Sequence, residues 1–343
     1  MTTILERYAV KKRLNCFIPP NRSAGKYWDL GNNSQFLQVK RGSGLYNGTF
    51  PFDGWFYHVV NHRNIHRVVP SAKGLVVTIV RKPWKRFRSA WSFFEHYKRL
   101  GVSLQNYTSL MAKRSHWKNV LFRDVDGTSK QLVGFDISVN RLNEFNSLFT
   151  ALISDIKSSK WLALVADRLN ESLLILAKAY GMSLSDILYF SHKVNQGFNP
   201  QCEVDNEAID VLTRVQVYDT LLYDAAVVAL DDHIGRYGSS FSADLARFER
   251  ALGRLSDLCG ENSTKLNTMH PQMRLPVLLS NATKVGYPQS HPQDHSYSHN
   301  ITLDHVSEIC TAMKDDHVDF VNMVYKFRFY PKPLPDVSFL FND

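Results

Sequence analysis

No apolar run in this 343-residue chain approaches the roughly 20 residues that a membrane-spanning helix needs. The opening "MTTILERYAVKKRLNCF" has basic residues but no apolar stretch after them, so it does not read as a secretory signal. Cysteine is scarce. Cys16, Cys202, Cys259 and Cys310 stand far apart and form no CxxC metal pair, and both disulfides and free thiols remain open. No internal repeat is visible. Acidic residues are in deficit, 32 against 41 Lys and Arg, which leaves a net charge of +9 and a pI near 9.3. Such an excess suits an anionic partner: nucleic acid, acidic lipid, nucleotide or sulfated sugar. Scattered, solvated surface charge is the plainer alternative. With 44% hydrophobic and 21% charged residues, the chain is globular and long enough for one large α/β domain or two ordinary ones.

Asparagine-linked glycosylation signals are in surplus. The N-x-S/T pattern occurs at Asn21, Asn32, Asn47, Asn106, Asn170, Asn262, Asn281 and Asn300, whereas 22 asparagines would produce roughly three by chance. The surplus points to a lumenal protein. Asn170 is equally well placed to cap a helix.

Two apolar runs read as buried parallel strands, "GLVVTIV" (74–80) and "WLALVAD" (161–167). The first leads into a helix that Pro83 starts, with apolar residues recurring at Phe87, Ala90, Trp91, Phe94 and Tyr97. The second leads into "NESLLILAKAYG", with Asn170 as N-cap and Gly181 as stop. "GWFYHVVNH" (54–62) resembles a third strand, and 140–159 and 205–235 read as helical. Strands alternating with helices predict a central parallel sheet covered on both faces. The expected organisation is an α/β domain over 1–258, an irregular polar insertion over 259–300, and a helical C-terminal extension of the same domain over 301–343.

The densest chemistry is "RKPWKRFRSAW" (81–91), five cations among aromatics just after a strand. In α/β folds this is where phosphate binds, because unpaired N–H groups and the helix dipole favour an anion. Arg81 supplies a guanidinium fork and Ser89 a hydroxyl, enough to hold one phosphate. The plain alternative is a basic helix face exposed to solvent or a membrane surface. Histidines recur at His58, His62 and His66. On a helix that spacing would make a metal stripe, but "WFYHVV" favours a strand and no carboxylate accompanies them.

Strand, R-x-P, a turn, then S-A-aromatic resembles the 3′-phosphate motif of sulfotransferases, which use 3′-phosphoadenosine 5′-phosphosulfate (PAPS). "LALVADRLNESLLILAKAYGMSLSDILYF" is similar to a segment of the galactose-3-O-sulfotransferase family, as is "VVNHRNIHRVVP", with weaker likeness at "QLVGFD", "YDTLLYD" and "SEICTAM". The resemblance implies a P-loop NTPase-like sulfotransferase fold, PAPS as co-substrate and no metal. It further implies that Arg81 and Ser89 grip the 3′-phosphate, and that the acceptor is the 3-hydroxyl of galactose in a glycolipid or glycoprotein. A Golgi membrane setting comes with the family. His62, at the end of the strand-like N-H segment, is the candidate base, since a histidine near neutrality suits deprotonation of the attacking hydroxyl. A structural histidine is the alternative.

The sequence departs from the family pattern in three places. The 5′-phosphosulfate loop, K-T-x-K-[TS]-[AG]-S-[ST]-T, is represented only by Thr2 and Thr3. Lys82 replaces the usual acidic residue of R-[DE]-P, and Asn170-Glu171-Ser172 stands for D-E-S. No stretch of this sequence is expected to act as the family's N-terminal anchor. The expectation is a truncated sulfotransferase of low activity, with a degenerate homologue that binds nucleotide or glycan without transfer as the alternative. Nucleic-acid binding is the third reading, and no stacking-aromatic motif supports it.

Overall fold

The computed structural model describes residues 2–18, 28–29, 43–44, 53, 59–60, 69, 76–113, 125–134, 141–189, 199–259, 310 and 337–341. The chain opens with α1 (Thr2–Lys12) and four two-residue strands, β1 (Phe17–Ile18), β2 (Trp28–Asp29), β3 (Ser43–Gly44) and β4 (Val59–Val60). β1 pairs antiparallel with β3, and β2 pairs parallel with β4. Then come β5 (Val76–Val80), α2 (Pro83–Phe93), α3 (His96–Leu100), α4 (Leu104–Lys113), α5 (Gly127–Val133) and α6 (Leu142–Lys157). They are followed by β6 (Trp161–Val165), α7 (Leu169–Tyr180), α8 (Asn206–Val215), α9 (Val217–Tyr237) and α10 (Phe241–Cys259).

β5 and β6 pair in parallel, from Val76 opposite Trp161 to Val80 opposite Val165. Eighty-five residues separate the partners along the chain, so the connection is a helical crossover, as parallel pairing requires. All five β6 residues are buried, which means both faces of that strand are covered. β5 is wetter than its sequence predicts. Val80 is buried but Ile79 is 38% exposed, and among the described residues β5 is hydrogen-bonded to β6 alone.

The main core gathers β6 with Phe145, Phe149, Leu152 and Ile156 of α6, Leu173–Ala177 of α7, and the inward faces of α9 and α10. Ile4 of α1 and Val80 of β5 belong to the same cluster. α7 is buried through six successive residues, as expected of a helix apolar all round. A second, smaller core joins Phe87 and Trp91 of α2 to Leu104, Tyr107 and Met111 of α4 and to Cys202, Val211 and Leu212. There the Trp91 and Tyr107 rings lie 4.7 Å apart.

Several expectations need correction. Asn170 does not cap α7. The chain leaves β6 through a single 3₁₀ turn, Ala166–Arg168, so Arg168 is the N-cap and Asn170 lies inside the helix. Its amide donates to Glu249 (3.1 Å) and accepts from the Tyr189 hydroxyl (2.9 Å). Gly181 does end the helix, with φ +63° in the left-handed region that favours glycine. The helical stretch 205–235 is two helices broken at Gln216. α2 stops at Phe93, and Glu95 (φ +50°) turns the chain, so Phe94 is 52% exposed rather than continuing the apolar face. Of the strand read at 54–62 only Val59–Val60 is described. The insertion at 259–300 and most of the C-terminal extension lie outside the described residues. Cys259 is bonded to Cys310, while Cys16 and Cys202 are buried and take no part in that bridge.

Candidate functional site

The site grows from the C-terminal ends of the two parallel strands, the edge at which open α/β sheets bind ligands. The register sets Val80 beside Val165, so the residues that follow, Arg81-Lys82 and Ala166-Asp167, emerge side by side. α2 begins at once, with Pro83 at its first position, where a missing N–H costs nothing.

Asp167 reaches across to this helix start. Its Oδ2 accepts the Lys82 N–H at 3.0 Å, and its Oδ1 pairs with Lys85 Nζ at 2.5 Å. Burial pushes the Asp167 carboxyl up, but the Lys85 and Lys82 hydrogen bonds and the charges of Lys85 and Arg81 outweigh it. The group ends below its ordinary value. An internal carboxylate therefore sits where the sequence alone predicts a foreign anion. Nothing in the cation-rich motif foretold Asp167; its place at the end of a parallel strand was the available signal.

The five cations of the motif divide by role. Lys85 pairs with Asp167, Arg86 with Asp219 and Arg88 with Glu203. Arg81 and Lys82 are exposed. Ser89 is half-buried on α2, four residues after Lys85 and so on the same helical face. Arg81 thus stands at the strand end just before α2 and Ser89 within it, while Pro83, Phe87 and Trp91 anchor the helix by their burial.

Thr2 and Thr3 form the first turn of α1. Ile4, next in the chain, shares a core with Val80, the residue before Arg81. α1 is tied down by Tyr8, whose hydroxyl donates to the Tyr180 carbonyl (2.9 Å), by Arg7 to the Leu188 carbonyl, and by Lys11 to Asp186 (2.5 Å).

The N-E-S triplet turns out to be architectural. Ser172 Oγ accepts the Val165 N–H (2.9 Å) and donates to the Val165 carbonyl (3.2 Å), closing the end of β6 onto α7. Glu171 pairs with Arg168, which also reaches Asp231 (2.5 Å). His62, with His58 and His66, lies outside the described residues. Among the described residues no group of three or more His, Cys, Asp or Glu is placed to hold a metal ion. No helix among them is long and apolar enough to cross a membrane.

Fold and site together define a helix-rich α/β protein with a small parallel sheet and a basic helix at the sheet's C-terminal edge. The sequence model of the galactose-3-O-sulfotransferase family matches residues 1–315, and the chain belongs to that family. Membership supports sulfotransferase activity and a glycan acceptor. No curated protein and no solved structure matches the chain.

Proposed function

We propose that this protein transfers a sulfonate group from PAPS to the 3-hydroxyl of galactose in a glycolipid or glycoprotein glycan. The observation that carries the reading is the family match across residues 1–315. The position of Arg81 at the strand end, exposed, and of Ser89 within the helix that follows supports it. In this reading the fold is the P-loop NTPase-like sulfotransferase fold and the catalytic machinery lies within residues 1–258. Arg81 binds the 3′-phosphate through its guanidinium fork and Ser89 through its hydroxyl. The N–H groups of the first turn of α1, with Thr2 and Thr3, face the 5′-phosphosulfate, as helix N-termini favour anions.

The chemistry is an in-line displacement at sulfur. His62 takes the proton of the acceptor hydroxyl as its oxygen bonds to sulfur. The bond from sulfur to the 5′-phosphate oxygen breaks, and 3′-phosphoadenosine 5′-phosphate departs with the electron pair. The Golgi lumen is the proposed setting. The surplus of glycosylation signals and the Cys259–Cys310 disulfide support an oxidising compartment.

The test has two readouts on one preparation. Radiolabelled sulfonate should pass from PAPS to the 3-position of a β-galactoside. By calorimetry the protein should bind 3′-phosphoadenosine 5′-phosphate far more tightly than adenosine 5′-phosphate. Arg81→Ala should weaken the former at least about tenfold, since a charge-assisted contact is worth roughly 1.5–3 kcal/mol. Equal affinity for the two nucleotides overturns the assignment.

A further inference from the structure

Behind the candidate site lies a buried polar junction that none of the proposed chemistry uses. Two helices cap each other there. Asp126 precedes α5, and its Oδ1 accepts the N–H of Asp219 in the first turn of α9 (2.9 Å). Asp219 returns the bond: its Oδ1 accepts the Ser129 N–H (2.7 Å) and its Oδ2 the Thr128 N–H (3.3 Å), both in the first turn of α5. Each carboxylate satisfies donors that a helix start otherwise leaves open. Both acids are buried, and so is Lys130 on α5.

The third member comes from α2. Arg86 Nε lies 3.2 Å from Asp219 Oδ2, and its Nη2 donates to Gln216 Oε1 (3.1 Å). Gln216, fully buried at the break between α8 and α9, donates in turn to the Leu212 carbonyl (3.0 Å). The guanidinium also lies against Gly127, where an added Cβ would be 3.1 Å from Arg86 Nη1. Asp126 adopts φ +50°, a region that disfavours residues with side chains. Burial pushes its carboxyl up to about 6, although the Asp219 N–H and Lys130 oppose the shift. The chain thus tolerates both an unfavourable backbone and a poorly solvated carboxyl at this point.

The location suggests what the arrangement is for. Arg86 stands on α2 one turn before Ser89 and five residues after Arg81. The apolar packing of Phe87 and Trp91 decides which side of α2 faces inward, but the hydrophobic effect is non-directional and does not by itself specify the placement of the polar side chains on the other faces. A planar guanidinium held by Asp219 and Gln216 does specify it. We infer that the Arg86–Asp219–Asp126 junction sets the register of α2, so that these are positioning residues for the 3′-phosphate held by Arg81 and Ser89. This rests on the nucleotide reading given above.

The experiment measures the preference for 3′-phosphoadenosine 5′-phosphate over adenosine 5′-phosphate, by calorimetry at one temperature below unfolding. Asp219→Asn should lower that preference about tenfold while the affinity for adenosine 5′-phosphate stays constant, the size of a lost charge-assisted contact. Arg86→Ala should do the same, and Arg86→Lys should recover part of it, because an ammonium can still meet Asp219. A general loss of folded protein would lower both affinities together. Gly127→Ala guards against a folding failure in Asp219→Asn. Alanine suits that helical position, yet its Cβ crowds the guanidinium, and a smaller drop in the same direction is expected.

Unchanged preference in folded Asp219→Asn, or in both Gly127→Ala and Arg86→Lys if that variant does not fold, overturns the inference. So does a rise in nucleotide affinity in Asp219→Asn, which would mean that Arg86, once released, touches the ligand itself. Absence of any preference in the unsubstituted protein refutes the nucleotide reading instead.

Discussion

Asp167 shows how one side chain redirects the meaning of a motif. Read along the sequence, "RKPWKR" is a cluster of positive charge waiting for an anion. In the fold, Asp167 takes the Lys82 N–H and the Lys85 ammonium, leaving the Arg81 and Lys82 side chains as the exposed cations at the strand end. Its carboxyl is held below its ordinary value near 3.8, so folding favours the ionised form. That contribution is present above about pH 4 and disappears as pH falls through the folded-state value. Asp167→Asn should therefore flatten the acid limb of the stability profile, measured as melting temperature from pH 6 to pH 3. It should also release Lys85 and raise the affinity for 3′-phosphoadenosine 5′-phosphate severalfold, because a charge that repels the phosphate is gone. An unaltered acid limb would show that the pair contributes nothing to folding. Asn170 makes the converse point. Its residue type suits a cap or a glycan, and only the 3₁₀ turn before it decided that it does neither cap nor stand alone, but joins α7 to α10 and Tyr189.

Among elements, the β6–α7 unit is the rigid reference of the site. β6 is buried throughout, and α7 is buried through its centre. Ser172, itself fully buried, fastens the two by bonding both polar groups of Val165. Removing that hydroxyl leaves a buried N–H without its acceptor, which costs about 1–3 kcal/mol. Ser172→Ala should lower the denaturant midpoint by the corresponding amount without changing the slope of the transition. A midpoint equal to that of the unsubstituted protein would show that water or a local shift replaces the bond. The element boundaries that sequence read well were those with a local cause. Pro83 starts α2 and Gly181 ends α7, because ring closure and left-handed φ are properties of single residues. Boundaries with a remote cause were missed, among them the break at Gln216, which is buried and bonded to Arg86 of another helix.

At the scale of the whole molecule, the Cys259–Cys310 bridge ties the end of α10 to a residue 51 positions further along. Closing a loop of that length removes chain entropy worth about 4 kcal/mol in the simplest account. Further on, Val337, Leu340 and Phe341 pack into the main core, while Arg254 of α10 donates to the Leu340 carbonyl (3.1 Å). Reduction under native conditions should lower the melting temperature by several degrees, since roughly 1 kcal/mol moves a chain of this size by about 2 °C. A Cys310→Ser variant should melt with the reduced protein and no longer respond to reductant. A melting temperature indifferent to both treatments would mean that the core alone holds the C-terminal segment.

Composition, the apolar runs at 74–80 and 161–167 and the helical period of "PWKRFRSAW" determined by themselves that this is an α/β protein with a basic helix after a parallel strand. Those are short-range properties: strand and helix periods, proline and glycine geometry, and local charge density. Family resemblance was legible for a similar reason, since ordered motifs survive in the linear text. The tertiary structure alone decided which cations remain exposed and which are committed. Asp167, Glu203 and Asp219 lie 82, 115 and 133 positions from Lys85, Arg88 and Arg86 respectively, and only packing brings them together. Ion pairing depends on distance in space and on burial, neither of which the order of residues records.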